Sequence, residues 1–420
     1  MHKCLPCILA ALLLARAASD AAAQRGAYHA PDPAWGLPVP VAPRIDVVAS
    51  ERIDHVAADA LEREVESTGG CALVVLRRGE LAHAWFDAMP EPIELMSATK
   101  SVVALGVGVL LDEGKIRSID DPVVKYLPDF TGNGRDAITI RHLLTHTSDL
   151  DPIPPNEIYQ VEDTLAFAIG SKPGPLLGQT FVYNNNACNL LMGVVGAAAG
   201  EPGDVFIARR IFVPLGISDW SWYRDPAENP HGMAGLKLHA IDAARIGELV
   251  RRGGAWNGKP IVSSAFVEQM LRPGQPMLAR CGMLWWRAAE GPTQYRIDPA
   301  GVDTLEQSGA ITQVDADALR ALVGTQGSRQ EVREAVAKAL GSRADPVLDA
   351  DQAVGSCMVR ATERPAFAFY ADGYLGQFII VLPQEEIVVV RQQTRRDHPT
   401  PLNVDRLLEL ARHLVAHENE

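Results

Sequence analysis

Strands near both ends of the chain, enclosing a helical middle, predict an α/β fold of the α+β kind, with one lobe assembled from both termini and a helical lobe inserted between its halves. Three observations carry this. Apolar β-runs occur at residues 71–86 and return at 281–287 and 366–392, whereas 115–271 reads as helices and turn residues. The stretch after Ser97 is apolar on nearly every side, which marks a buried central helix and not a surface one. At 420 residues the chain exceeds the size at which one hydrophobic core stops growing, so two lobes or a core with large insertions are expected.

The chain opens with His2 and Lys3, an apolar run from Cys4 through Ala15, and small residues ending Ala21-Ala22-Ala23. That layout predicts a secretory signal peptide over residues 1–23 and a periplasmic or extracellular protein. The run is too short to span a bilayer, and no second run of about 20 apolar residues follows, so no stable membrane anchor is expected. A lipid-anchored precursor would need its cysteine after the run, and Cys4 and Cys7 lie on the wrong side. Residues 24–49, with Pro31, Pro33, Pro38, Pro40 and Pro43, read as an extended segment.

A helix follows from about Ser50 to Ser67, with Ile53, Val56, Ala57, Leu61 and Val65 on one face and Gly69-Gly70 at its end. Cys71–Arg77 is a β-run that Gly79-Glu80 turns into Leu81–Phe86. The buried helix spans Ser97–Leu111. Arg141–His146, Thr164–Ile169, Ala187–Ala199 and Ile241–Gly253 read as helices of the middle lobe. Strands then return at Cys281–Arg287, Ala366–Tyr370, Gln377–Leu382 and Glu386–Gln392, before a final amphipathic helix from Val404 to about His417. The resulting division is an α/β lobe (50–114, 281–290 and 356–420), a helical lobe (115–280), and a charged, partly helical insertion (291–355) with helices at Ala316–Val323 and Gln330–Leu340. No internal repeat is visible. The insertion reads as a lid or a partner surface.

A net charge of −13 with no Lys/Arg cluster excludes nucleic acid as a partner, because binding it needs a basic face. Removing a leader that carries Lys3 and Arg16 against Asp20 makes the remainder one unit more negative. Beyond the leader stand Cys71, Cys188, Cys281 and Cys357, which in an oxidising compartment pair in any of three ways. Cys281 with Cys357 is the preferred pair, since both flank the insertion, and an all-thiol chain fits equally well. Nothing in the sequence selects an oligomeric state.

The chemistry centres on Ser97-Ala98-Thr99-Lys100. A serine and a lysine three apart at a helix start share one face of the first turn. The hydroxyl is a poor nucleophile at its free pKa, and an amine held in a low-dielectric setting can take its proton. Downstream stands Tyr183-Asn184-Asn185, preceded by Gly178-Gln179-Thr180-Phe181 and followed by Leu190-Leu191-Met192-Gly193. Asp121-Pro122-Val123 through Tyr126-Leu127-Pro128, and Ile138-Thr139-Ile140-Arg141-His142-Leu143-Leu144-Thr145-His146-Thr147-Ser148, complete the pattern.

In these motifs and their order the chain resembles the serine β-lactamase and penicillin-binding-protein superfamily, in its class-C-like branch. The resemblance covers roughly Ser50–Trp286 and Pro365–Val390. It implies a β-lactamase/transpeptidase-like fold, an antiparallel sheet flanked by helices with the helical lobe inserted. It also implies Ser97 as nucleophile, Lys100 as its base, Tyr183 as a proton relay to the leaving group, and Asn185 as donor to the substrate amide. Asp149 stands where that branch has glycine; a left-handed turn is the demand there, and Asp tolerates it.

The third motif separates this chain from the antibiotic-hydrolysing members. Where they carry a Lys or His that binds the substrate carboxylate, this chain reads Ala371-Asp372-Gly373-Tyr374-Leu375-Gly376-Gln377. That form is similar to 6-aminohexanoate-dimer hydrolases and related esterases, and it implies that the Tyr374 N–H joins that of Ser97 as an oxyanion hole, with Gly373 letting the acyl group approach. Asp372 would repel a carboxylate unless it turned away to meet a cation, so neutral or cationic ligands are expected over β-lactams. His142 and His146 form H-x-x-x-H, but Leu143 stands where a zinc peptidase needs its Glu, so core and capping roles are expected. Of Trp285 and Trp286, alternation sends one ring to the core and one outward, where it could line the acyl pocket. The reading is a secreted serine hydrolase that cleaves a small-molecule ester or amide through a Ser97 acyl-enzyme, with no metal or cofactor. Its rivals are a D-amino-acid peptidase of the same fold and a non-catalytic sensor or binding protein.

Overall fold

The computed structural model describes residues 26–44, 53–353, 356–394 and 404–415. The leader expected over residues 1–23 and the start of the helix expected from Ser50 lie outside the described residues. Six strands form the central sheet: β1 (Ala72–Arg77), β2 (Glu80–Phe86), β3 (Trp286–Ala289), β4 (Ala366–Gly373), β5 (Gln377–Leu382) and β6 (Ile387–Gln392). Their order is β2-β1-β6-β5-β4-β3, antiparallel throughout, so strands from the two ends of the chain pair directly, Val75 opposite Val389.

The principal helices are α1 (His55–Ser67), α2 (Thr99–Asp112), α3 (Asn185–Ala199), α4 (Ala240–Arg251) and α5 (Val404–Arg412). Leu73, Val75, Ile380 and Val389 face α1 and α5, while Val74, Leu76, Val388 and Val390 face the large core that contains α2 and α4. Both faces of the sheet are covered, which is why its strands read as unbroken apolar runs and not as alternation. From Thr99 to Leu110 every residue of α2 is buried, because that helix lies between the sheet and the helical lobe.

Several local expectations are corrected. Helix α1 begins at His55, where the Asp54 side chain accepts from the Ala57 N–H at 3.0 Å, and its buried face is Ala58, Leu61 and Val65; Val56 points to solvent. The β1–β2 turn centres on Arg78 and Gly79, with φ of 55° and 85°, instead of on Gly79-Glu80. Cys281–Leu284 is not strand: the chain doubles back, with the Gly282 N–H donating to the Trp285 carbonyl at 2.8 Å and Leu284 at φ 58°, so β3 begins at Trp286. A four-stranded sheet goes unpredicted, joining Ala27–His29, Trp220–Arg224, Leu236–Leu238 and Ile93–Glu94. It ties the proline-rich N-terminal segment to the residues just before Ser97.

The insertion is a folded unit. Strands Tyr295–Ile297, Gln326–Gly327 and Val359–Ala361, with helices Pro299–Gln307, Gln313–Arg320, Arg329–Leu340 and Ala344–Ala353, enclose their own core around Val302, Leu305, Leu319, Val332 and Val336. Its closing strand runs past residue 355, so the boundary falls at Ala361. The Cys281–Cys357 pairing is corrected as well. All four described cysteines are buried free thiols, and Cys357 belongs to the insertion core while Cys281 lies beneath the cavity at Ser97.

Candidate active site

Ser97 sits in a single 3₁₀ turn, Met96–Ala98, that leads into α2, and Met96 before it holds φ 50°. One turn on, Lys100 is 3% exposed and its Nζ donates to Ser97 Oγ at 3.1 Å and to the Met233 carbonyl at 2.6 Å. The carbonyl fixes the amine's position without supplying a negative charge.

That carbonyl is itself held by α3. Asn189 Oδ1 accepts from the N–H groups of Gly232 at 2.9 Å and Met233 at 3.1 Å. A Cβ at Gly232 would lie 2.1 Å from the Cys188 carbonyl, so only glycine lets the loop press this close to the helix. The same helix starts beside Tyr183. Asn184 caps it, its Oδ1 accepting from the Ala187 N–H at 3.1 Å and its Nδ2 donating to the Leu150 carbonyl at 2.6 Å.

The Tyr183 ring faces the cation, with its centroid 4.9 Å from Lys100 Nζ, and lies 4.6 Å from the His146 ring. Its hydroxyl has no hydrogen bond to Ser97 or Lys100 among the described residues. His146, at φ 56°, clamps the approach to Tyr183: its carbonyl accepts from the Val182 N–H at 2.9 Å and its Nδ1 from the Asn184 N–H at 3.2 Å. Burial, helped by the Lys100 charge, pushes the imidazole down to about 3, so it is neutral at ordinary pH. His142 does cap its helix, Ile140–Leu144, in a box with Thr139. Asp149 takes φ 51° and its carboxylate accepts from the Leu176 N–H at 2.6 Å, bracing the loop that leads to Tyr183.

Ser97, Lys100, Ser101, His146, Tyr183, Cys281, Leu284, Trp286 and Asp372 enclose a cavity of about 10 Å³, room for roughly one water. Trp285 is fully buried and donates through Nε1 to the Ser101 carbonyl at 3.1 Å, so of the adjacent tryptophans Trp286 is the one that lines the site. Gly373, at the end of β4, abuts the turn before the serine: a Cβ there would lie 2.2 Å from the Leu95 carbonyl. Tyr374 is 63% exposed, and its N–H and that of Ser97 donate to nothing among the described residues. Asn185 is buried at the first position of α3, does not line the cavity and does not bond Lys100.

Asp372 points at the cavity and makes no ion pair among the described residues. Burial pushes its carboxyl up to about 6, with the Arg280 charge opposing. Among the described residues no group of three His, Cys, Asp or Glu side chains is placed to hold a metal ion.

Met233 and Asn189 carried no role in the sequence reading, and His146 carried only a core or capping one. Their parts depend on contacts across the fold, Lys100 to Met233 spanning 133 positions, and no local spacing encodes them.

A model of the Beta-lactamase family matches residues 58–413. The chain is similar to the 6-aminohexanoate-dimer hydrolase of Paenarthrobacter ureafaciens, 26% identical over 254 residues, which is 55% of this chain and 63% of that protein. It is similar to esterase EstB of Burkholderia gladioli, 29% identical over 199 residues, 40% of this chain and 50% of that protein. The chain thus spans about half to just under two thirds of the length of these curated relatives. In fold it resembles the crystal structure of a β-lactamase/D-alanine carboxypeptidase from Pseudomonas syringae, with TM-score 0.54 and 16% identity over 87% of this chain and 99% of that one.

Proposed function

The chain belongs to the Beta-lactamase family of serine hydrolases, and from that premise we propose that it cleaves an ester or amide through an acyl-enzyme on Ser97. The observation that carries this is the contact of Lys100 Nζ with Ser97 Oγ at 3.1 Å, at a small cavity whose lysine is almost wholly buried. With its amine in the neutral form, Lys100 takes the serine proton on its lone pair and becomes the ammonium as Oγ attacks the carbonyl, and the Met233 carbonyl keeps it aimed at Ser97. The free N–H groups of Ser97 and Tyr374 receive the oxyanion. Tyr183, ring against the lysine, passes the proton to the leaving group and serves the water that releases the acid. Asn185 turns to the substrate amide when a ligand opens the cavity.

Neutral or cationic groups next to the scissile carbonyl suit the site, because Asp372 faces it without an ion pair among the described residues, the Arg280 charge acting on it only at a distance. The signal-peptide-like composition of residues 1–23 supports export. The deciding experiment is intact-mass analysis after exposure to a fluorophosphonate, a short-chain aryl ester, a linear ω-amino-acid dimer and a penicillin. Mass added at Ser97 by the fluorophosphonate, with turnover of the ester or the dimer and slow or no turnover of the penicillin, is the expected result. No adduct and no turnover with any reagent would leave a binding protein in its place.

A further inference from the structure

A hollow of about 1100 Å³ separates the insertion from the edge strand β3, the 277–280 loop and α5. Six arginines line it, in a chain of net charge −13. Arg412 pairs with Glu290 and Glu385. Arg77, Arg280, Arg329 and Arg364 make no ion pair among the described residues, and Arg287 reaches only the exposed Glu363, at 4.0 Å. Of the four carboxylates on the lining, Glu290 and Glu385 are thus held by Arg412 and Glu409 by Arg406, while Asp405 lies on α5.

These guanidiniums are fixed by groups that leave their charge intact. Arg287, with only 9% of its side chain exposed, donates to the Ala279 carbonyl at 2.7 Å, and its buried Nε meets no acceptor. Arg364 donates to the Pro292 carbonyl at 2.6 Å; Arg329 donates to Ser356 Oγ at 3.3 Å and lies over the Tyr295 ring. Burying the Arg287 cation without a close counter-charge is costly, and that cost is recovered when an anion arrives; the more exposed Arg280, Arg329 and Arg364 add charge around it. The hollow also adjoins the nucleophile. Arg280 rests on the Trp286 ring at 5.6 Å, and Trp286 and Cys281, the next residue in the chain, both line the Ser97 cavity.

We propose that this hollow receives the anionic part, carboxylate- or phosphate-bearing, of an extended substrate whose scissile ester or amide lies at Ser97. The proposal rests on the acyl-enzyme reading for its substrate, though not for its site. The resulting charge order is specific: Asp372 disfavours an anion beside the reacting carbonyl, and the arginines favour one farther along. At about 1100 Å³ the hollow accommodates more than a single small ion.

Two measurements on the full chain test it. Aryl esters carry a long tail ending in methyl, carboxylate or phosphate, on the acyl side in one series and the alcohol side in another. In one series an anionic tail lowers KM roughly tenfold relative to methyl, an advantage that shrinks with salt and identifies the preferred anion. Arg329→Glu and Arg364→Glu abolish the advantage and leave the methyl-ended ester unchanged. Equal KM for all tails in both series, or equal effects of the substitutions on every ester, overturns the proposal. Calorimetric titration with tripolyphosphate and with citrate reads the hollow without turnover. Binding that is lost in both variants supports the site even if no ester is cleaved, which would instead sink the acyl-enzyme reading; no binding of either anion overturns the site.

Discussion

On the helical side of the Ser97 cavity the polar groups are already engaged with one another: Lys100 with Ser97 and the Met233 carbonyl, Ser101 Oγ with the Leu284 carbonyl, His146 with the Asn184 N–H. On the strand side, among the described residues, the Asp372 carboxylate has no ion pair and the Tyr374 N–H no acceptor, and four of the six arginines lining the hollow beyond them have no ion pair. The first wall is preorganised, its geometry set by buried helices before any substrate arrives. The second is built to be completed by a ligand. Chemistry and selectivity are therefore carried by different elements, and substitutions on the two walls should separate in kind.

The largest effects belong to the helical wall. Ser97→Ala and Lys100→Met should each lower kcat by roughly 10⁴-fold, with near-unchanged circular dichroism. Lys100→Met also leaves the buried Met233 carbonyl without its donor, at about 1–3 kcal/mol of stability, so its melting temperature should fall while that of Ser97→Ala should not. Retained turnover in Ser97→Ala would put the nucleophile elsewhere. Next comes the seam between the walls, Gly373→Ala, whose methyl would overlap the Leu95 carbonyl. Either β4 or the turn before Ser97 must shift, and a displacement of that size at the reacting atoms should cost about 10²-fold in kcat.

Asn189→Leu is the intermediate case, since it touches neither substrate nor Ser97. It removes the acceptor of two buried N–H groups and frees the loop that carries the Met233 carbonyl. The expected result is roughly a tenfold loss in kcat with little change in KM. Asn189→Asp, which keeps the acceptor, should recover most of it. A role in packing alone would lower the melting temperature of both variants without this split.

The preorganised wall was also the more legible one. Thr99–Leu110 is apolar at almost every position, so burial and helix could be read directly, and the three-residue spacing then put Ser97 and Lys100 on one face. Gly373 was legible as a close approach for the same reason that glycine is required there. His146 read as a core or capping residue because its neighbour Tyr183 is distant in sequence, and Met233 acts through its backbone, which no side-chain pattern reveals. The small sheet escaped because Ile93–Glu94 and Leu236–Leu238 are too short to show alternation. The insertion read as charged and only partly helical, and its own core went unread, since Val302, Leu305, Val332 and Val336 are spread thinly along helices whose other faces are polar.

The smallest and most diagnostic effect belongs to Asp372. Its carboxyl titrates near 6 in the folded protein against 3.8 when exposed, so the native state binds the proton more tightly than the unfolded chain. Folding stability is therefore undiminished below about pH 3.8, falls as pH rises toward 6, and stays at its lower level above that. Asp372→Asn should flatten this dependence and raise stability at pH 7 by on the order of 1–2 kcal/mol. Substrate choice should follow the same titration with opposite consequence for the two charges. Between pH 5 and 7 the KM of an ester bearing an ammonium near its carbonyl should fall a few-fold, and that of a carboxylate-bearing isostere should rise, roughly the change one unit charge produces in a partly solvated site. In Asp372→Asn both KM values should be independent of pH over that range. Parallel profiles in the variant and the parent would mean that Asp372 does not face the substrate, and that the strand wall selects by shape alone.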